Sequence, residues 1–484
     1  MQINFPAFLK SEKFNKIFNT SLLLVFVVLT FLTMINHELW RDEAQAWLVV
    51  RDLNPLGIID HVKTEGHPLL WYAVLFPFAK LHFPVFSMQV VSFLLSVCGA
   101  CVFLFCSPFN KFTKTAVIFS SGFLYWYSVI SRSYSLIPPL IFLLAVFYRV
   151  RLKHPYIYTS LLILLSNTHV LMFGFCAAAA LCFAFELLSC KEKTIPPLIL
   201  LCINFFCVIT YLAAGRSENE LVQSYSEIAT GDLSLYKAVL SLFINIFANI
   251  SFLLLVCLVI AAVVLFVRIF KSDKKVFWLV FTGIAFQILV YRYIWSTSPE
   301  KAFLTLLILL FGCWAAESLK NVLTKNKFLF EIILAFVFLM TWHVSFDVVK
   351  NDIQYNYSGS KDAAKYIKNN LARDAVLVSS YNVTTAGISA YLPDEKFYFP
   401  QEKNFYTFSK WNKGIMTPYI DYSDFEKLPQ VFKNKKLYFV FSYITSPDEL
   451  ASVLPKNLKK VYESPSDTLL ASEKFYIYEL KNDE

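Results

Sequence analysis

Ile17 to Asn36 reads IFNTSLLLVFVVLTFLTMIN, and Arg41-Asp42-Glu43-Ala44-Gln45-Ala46-Trp47 follows closely behind it. The first stretch is apolar for about 20 residues, the length a helix needs to cross a bilayer. The second places two adjacent carboxylates where such a helix emerges into water. Lys10, Lys13 and Lys16 precede the apolar run, and no small-residue cleavage site follows it. It therefore reads as a retained span with its start in the cytoplasm, which leaves residues 37–67 facing out.

Outward from this point the composition carries the same message. The chain of 484 residues is 57% hydrophobic and 16% charged, where soluble proteins are closer to ~45–50% and ~25%. Apolar runs recur as far as Phe346, so the chain is expected to be a polytopic α-helical membrane protein. The net charge of +9 implies no nucleic acid, because many Lys and Arg residues stand in short loops where they orient spans. All ten cysteines fall between Cys98 and Cys313, mostly in apolar segments. A disulfide framework is not expected, and Cys98 and Cys101 read as helix packing.

The expected spans are Ile17–Asn36, Val85–Cys106, Ala116–Ile130, Leu136–Tyr148, Tyr156–Ser166, Val170–Leu188, Ile195–Ala214, Ser251–Phe270, Val276–Ile294, Ala302–Leu319 and Phe328–Phe346. That is about 11 by the ~20-residue criterion, with basic loops alternating as the positive-inside rule requires. The alternation holds if Pro68–Phe83, short and cut by Pro77, does not change sides. From sequence it is a span, a re-entrant element or an interfacial helix. From Asp347 the texture turns polar. Ser360–Leu371 has helical spacing, while Ala375–Ser380, Leu437–Phe441 and Phe475–Leu480 read as strands. The expected division is a membrane domain over 1–346 and a small α/β extracytoplasmic domain over 347–484.

Asp42 and Glu43 stand at the start of a short amphipathic helix whose Ala44, Trp47 and Leu48 form a stripe suited to the membrane surface. A carboxylate there can take a proton from an acceptor hydroxyl or amine, or hold a divalent cation against a phosphate. Capping is the plainer account: Asp42 as N-cap with Gln45 three residues on, and Glu43 favoured by the helix dipole. The two accounts are compatible. Glu65-Gly66-His67-Pro68 follows, ahead of Leu69-Leu70-Trp71-Tyr72. Gly66 lets the backbone pass close to a ligand, and His67 at the boundary suits either a phosphate or metal ligand or a simple helix cap.

An apolar span, then Asp-Glu on a surface helix, then Gly-His-Pro before Trp-Tyr, resembles the GT-C fold glycosyltransferases. These include the protein O-mannosyltransferases and the aminoarabinose transferases of lipid A. The resemblance is best over the N-terminal third. It implies transfer of a sugar from a polyprenyl-phosphate donor on the outer side of the membrane. It assigns Asp42 as general base, Glu43 as its acidic neighbour, and His67-Pro68 as the element near the donor phosphate. Leu69 stands where a second proline is common.

Cationic residues at predicted outer ends complete the pattern. Ser131-Arg132-Ser133-Tyr134 resembles the family's Arg-x-Tyr element. Arg132 offers a fork of donors to a phosphate and Tyr134 a ring to a sugar; the alternative is a snorkelling Arg beside a belt tyrosine. Arg292, between Tyr291 and Tyr293, and Lys301 form a second cluster, suited to the donor phosphate or equally to lipid headgroups. Glu65 is a further candidate substrate contact. Asn167-Thr168-His169 interrupts a helix, and Asn356 and Asn382 begin glycosylation sequons that arise often by chance.

The leading expectation is an inverting glycosyltransferase in a cell membrane, taken as a bacterial inner membrane. Its partners would be a polyprenyl-phosphate-linked sugar and a lipid, glycan or protein acceptor, with a divalent cation left open. The alternative is a lipid or solute transporter or flippase, which favours internal repeats and ionisable residues near the midplane. Neither is visible.

Overall fold

Inside a bilayer, backbone polar groups find partners only within helices or closed barrels, and the apolar runs fold accordingly. The computed structural model describes residues 12–189, 195–218, 234–318, 327–380, 383–410, 422–442 and 457–481. Among these, eight helices are long and apolar enough to cross a membrane: Glu12–Asn36 (α1), Phe86–Cys106, Val170–Ser189, Ile195–Gly215, Phe252–Ser272, Lys274–Tyr293, Pro299–Glu317 and Lys327–Gln354. The protein is a polytopic helical membrane protein.

Three of the expected spans take other forms. Ser133–Tyr148 and Pro155–Ser166 are shorter helices. The segment expected as Ala116–Ile130 breaks into an α-helix, Lys111–Ile118, and a π-helical turn, Gly122–Trp126, closed by Tyr127 N–H on the Gly122 carbonyl at 2.9 Å. Such π turns are uncommon and often mark functional segments; here the turn leads into Ser131 and Arg132. The last membrane helix runs past Phe346 to Gln354, turning at Thr341.

The first loop holds three helices, Arg41–Asp52 (α2), Pro55–Glu65 (α3) and Leu70–Lys80 (α4). At 11 residues, α4 is about 16 Å long, roughly half of what a crossing needs. The chain reverses at His82, with φ 58°, before the next helix.

Packing inside the bundle is close. Gly174 faces Phe286 and Gly283 faces Phe175, so each of two neighbouring helices receives a ring opposite its glycine. Polar side chains find local partners: Thr30 and Thr33 donate to the carbonyls of Phe26 and Leu29, and the Asn19 amide donates to Leu104. At the end away from α2, Glu186 pairs with Arg151 at 2.7 Å and Lys275 at 2.8 Å, while Lys327 approaches Glu317 and Glu331. These carboxylates clamp helix ends together.

Among the described residues the C-terminal part carries a six-stranded sheet ordered β3-β2-β1-β4-β6-β5. Its strands are Val376–Ser379 (β1), Phe397–Phe399 (β2), Asn404–Tyr406 (β3), Leu437–Ser442 (β4), Leu458–Glu463 (β5) and Phe475–Leu480 (β6). The central strand β1 runs parallel to both β2 and β4, and the outer pairings are antiparallel. Alternate strand residues enter separate cores, as a pleat with helices on both faces requires. Leu377 packs with Ala363, Ile367 and Ile388, whereas Val376 and Val378 pack with Phe425 and Leu428.

This unit sits on α2. Ala386, Ala390 and Phe408 join a core with Ala44, Trp47, Leu48 and Trp71. The stripe expected to lie on the membrane surface is thus buried between protein layers. The helix start also differs from expectation. It begins at Arg41 with Trp40 as N-cap, and Glu43, not Gln45, receives the cap N–H at 3.4 Å. At the far end Lys80 donates to the carbonyls of Arg51 and Leu53 at 2.9 and 2.7 Å, closing α2 as a basic residue can.

Candidate active site

Successive side chains on a helix diverge by about 100°, so adjacent residues serve different neighbours while i, i+3 and i+4 share a face. On α2 that face is Asp42, Gln45 and Ala46. It opens onto a cavity of about 270 Å³, whose other walls are Glu65, His67, Pro68, Trp71, Tyr72, Arg132 and Ser133. Four of the residues singled out from the sequence, Asp42, Glu65, His67 and Arg132, meet there from three separate segments.

Asp42 lies between two guanidinium groups. Arg132 Nη1 is 3.1 Å from Oδ2 and Arg41 Nε is 3.8 Å from Oδ1. Arg41 is shared in turn with Glu473 of the C-terminal unit, Nη1 to Oε1 3.7 Å. The Asp42 side chain is 38% exposed, while Glu473 is buried. Burial drives the Glu473 carboxyl up to about 7 against the pull of Arg41. The Arg132 guanidinium lies 5.6 and 6.0 Å from the Tyr134 and Trp40 ring centroids, so aromatic faces hold its plane.

Glu65 ends α3, and the αL geometry of Gly66 (φ 71°) turns the chain back toward the cavity. Three donors converge on its carboxylate: Gln45 Nε2 at 2.7 Å, His61 Nε2 at 3.1 Å and the Tyr72 hydroxyl at 2.5 Å. Burial alone would raise this carboxyl. The His61 and Tyr72 hydrogen bonds and the nearby imidazoles bring it down to about 2 instead. Glu65 is thus a fixed anion in one wall.

His67 stands among rings, 5.9 Å from His169 and 6.2 Å from Trp295. Burial, then the Arg132 and Lys301 charges, hold its imidazole down to about 4 despite Glu65. At neutral pH it is uncharged, and its buried Nδ1 has no hydrogen-bond partner among the described residues. Lys301 stands just behind, 5.9 Å from the Trp295 ring. Tyr134, an expected substrate contact, is buried behind the wall. Its hydroxyl meets His169 Nε2 at 3.2 Å and its ring stacks on that imidazole at 4.9 Å. The Asn167-Thr168-His169 break is therefore a support, tied also to α4 through Leu70 N–H on the Asn167 carbonyl.

Two expected residues lie elsewhere. Arg292 does not line the cavity and stands over the Tyr293 ring at 4.9 Å. Glu43 is turned about 100° from Asp42 around α2 and is fully buried. Its Oε1 accepts the Ser131 N–H at 2.5 Å and its Oε2 meets His37 Nε2 at 2.9 Å. The other His37 nitrogen meets Asp352 at 2.8 Å, and Tyr125 donates to the same carboxylate at 2.9 Å. Burial alone would push the His37 imidazole down. Asp352 and Glu43 override it and hold it well above its ordinary value. This network ties the exit of α1, the start of α2, the π turn and the last membrane helix into one rigid seat for Asp42 and Arg132.

Sequence reading missed that seat. Its one local signal is His37 as the first residue beyond an apolar run; Asp352 and Tyr125 give none. Gln45, expected as part of a cap, instead exchanges two hydrogen bonds with Ser409. Asn356 donates to Asp362 at 2.7 Å, and Asn382 lies outside the described residues. Among the described residues no three His, Cys, Asp or Glu side chains gather as metal ligands. Asp42 is engaged by the two arginines instead.

No family model and no curated protein matches the chain. Among solved structures it is similar to ArnT from Cupriavidus metallidurans bound to undecaprenyl phosphate, at 10% identity and TM-score 0.41, covering 96% of this chain and 98% of that one. It is also similar to ArnT from the same organism in the apo state, at 9% identity and TM-score 0.42, with the same coverage.

Proposed function

We propose that the protein is a membrane glycosyltransferase that moves a sugar from a polyprenyl-phosphate donor to an acceptor on the outer face of a cell membrane. The observation that supports this best is the meeting of one partly exposed carboxylate, Asp42, with a guanidinium, Arg132, in a single cavity at the helix ends. Acceptor activation and leaving-group stabilisation need those two groups at one place.

In this reading Asp42 takes the proton of an acceptor hydroxyl or amine as its oxygen or nitrogen attacks the anomeric carbon. The bond from that carbon to the phosphate oxygen breaks in the same displacement. Configuration inverts, and the phosphate leaves on the lipid. Arg132 receives the charge that grows on the phosphate, with Lys301 adding positive potential from behind and neutral His67 offering a ring N–H. Arg292 stays in reserve as a contact to the lipid phosphate region. Glu65, Gln45 and Trp71 present the carboxylate, amide and aromatic edge that suit sugar hydroxyls and a ring face. A cavity of about 270 Å³ suits a single sugar. Glu43 acts as a positioning residue. The C-terminal unit roofs the site, and the donor's tail lies along the helices. The acceptor is a lipid, glycan or protein, and the membrane is taken as a bacterial inner membrane with the N-terminus in the cytoplasm.

The test is turnover by purified protein. A panel of polyprenyl-phosphate sugars is offered together with a membrane extract as acceptor source, and release of polyprenyl phosphate is followed. The expected result is release from one donor that Asp42→Asn abolishes while the variant folds normally. Full turnover by Asp42→Asn overturns the assignment of the base, and absence of any donor binding overturns the enzyme reading.

A further inference from the structure

Each Asp42 oxygen faces a guanidinium, Oδ2 with Arg132 at 3.1 Å and Oδ1 with Arg41 at 3.8 Å. The two arginines differ in what else they hold. Arg41 is shared with buried Glu473 at 3.7 Å. Arg132 has no second carboxylate within ion-pair distance among the described residues, and it borders the cavity directly. An anion entering the cavity therefore meets a guanidinium whose ion-pair partner among the described residues is the proposed base itself.

Resting on the transferase reading, we propose that Arg132 masks Asp42 in the empty enzyme and that the donor phosphate unmasks it by taking Arg132 in exchange. Charge then stays balanced through the reaction. The donor is a phosphodiester with one negative charge, and it draws Arg132 away from Asp42. The freed carboxylate accepts the acceptor proton and becomes neutral. The electron pair of the broken bond between carbon and oxygen goes to the phosphate, which leaves as a monoester of higher charge. Arg132 thus moves toward the anion that strengthens and away from the one that disappears. Its interaction is stronger in the transition state than in the ground state, as catalysis requires. The donor also has to bind before the acceptor is activated. An empty site holding only acceptor keeps its base paired, which guards against futile chemistry.

A binding cycle tests this without knowing the acceptor. Affinity for undecaprenyl phosphate in detergent is measured for the intact protein, Asp42→Asn, Asp42→Ala, Arg132→Gln and the Asp42→Ala/Arg132→Gln pair, each checked for a normal melting transition. If Asp42 competes for Arg132, both Asp42 variants bind the lipid phosphate about two- to fivefold more tightly, the worth of a partly exposed ion pair. In the Arg132→Gln background the gain vanishes. Unchanged or weaker binding by both Asp42 variants overturns the mask. So does a gain that persists without Arg132, which marks plain repulsion between Asp42 and phosphate. Failure of the intact protein to bind the lipid phosphate at all overturns the transferase reading, and the mask with it.

Discussion

Gln45 and Ser409, more than 350 residues apart in sequence, hold each other by two hydrogen bonds: the Gln45 amide donates to the Ser409 carbonyl at 2.8 Å and the Ser409 N–H donates to Gln45 Oε1 at 2.9 Å. A side-chain amide that satisfies both groups of one residue acts as a piece of backbone. It fixes the segment after β3 against α2, beside Thr407, which donates to Asp52. Replacing Gln45 by Leu removes both bonds and one donor to Glu65. Two hydrogen bonds at about 1 kcal/mol each predict that the Ser409 amide exchanges with solvent tenfold faster or more. Hydrogen exchange of a peptide covering residues 404–410 reads this directly, and unchanged exchange would show that the segment is held by Thr407 and Phe408 instead.

Glu43 and Asp42 are neighbours in sequence and opposites in environment. Breaking a buried, paired network leaves an uncompensated charge and costs about 3–5 kcal/mol. Glu43→Ala strands protonated His37 and the Ser131 N–H, so a loss of that order is expected, read as a lower melting temperature in detergent. Asp42→Ala removes a carboxylate that is 38% exposed and should shift stability by about 1 kcal/mol or less. Activity should respond in the reverse sense, falling for Asp42→Ala even where the fold is intact. A stable Glu43→Ala would mean that His37 and Asp352 carry the seat alone.

What could be read from the chain alone divides along the same line. Apolar runs, the short helix at Asp42 and the buried strands at Val376, Leu437 and Phe475 were legible, because each is a local pattern of period or length. So was the convergence of Asp42, His67 and Arg132, through their order relative to the spans. Two of the failures are matters of which neighbour a side chain meets. Glu43 looked equivalent to Asp42 because sequence adjacency hides a rotation of about 100°. Ala44, Trp47 and Leu48 looked like a lipid-facing stripe because an apolar face does not say whether lipid or protein covers it. The break at Gly122–Trp126 escaped because a π turn changes hydrogen bonding without changing composition. The short strands β2, β3 and β5 are too brief, or too exposed in the case of β5, to alternate visibly.

Gly66 gives a sharper local test. Its φ of 71° lies in the left-handed region, and a Cβ built there would stand 3.4 Å from Trp295 Cζ2, an ordinary contact. The cost of Gly66→Ala is therefore conformational and should be about 1–2 kcal/mol. Asn tolerates this backbone region better, so Gly66→Asn should recover part of the loss. Thermal melts of the two variants check the order. Equal losses would place the cost in the Trp295 contact, and with it the tie between the His67 turn and the loop before Lys301.

Glu65 makes the stability of the site pH-dependent in a direction that follows from its donors. Its folded carboxyl is held at about 2, below the ordinary 4.5. A carboxyl depressed on folding contributes stability that is fully present above the unfolded value and is lost as pH falls through the folded one. The window is therefore about pH 4.5 down to about 2, and the contribution at neutral pH is roughly 3 kcal/mol. Other carboxylates titrate in the same range, so the intact protein alone cannot isolate it. The gap in melting temperature between the intact protein and Glu65→Gln can. It should be widest near neutral pH and narrow steadily below about pH 4.5. Tyr72→Phe removes the 2.5 Å hydroxyl donor and should move the narrowing to higher pH. A gap independent of pH would mean that Glu65 is held by packing rather than charge, and that its wall of the cavity presents no fixed anion to a sugar.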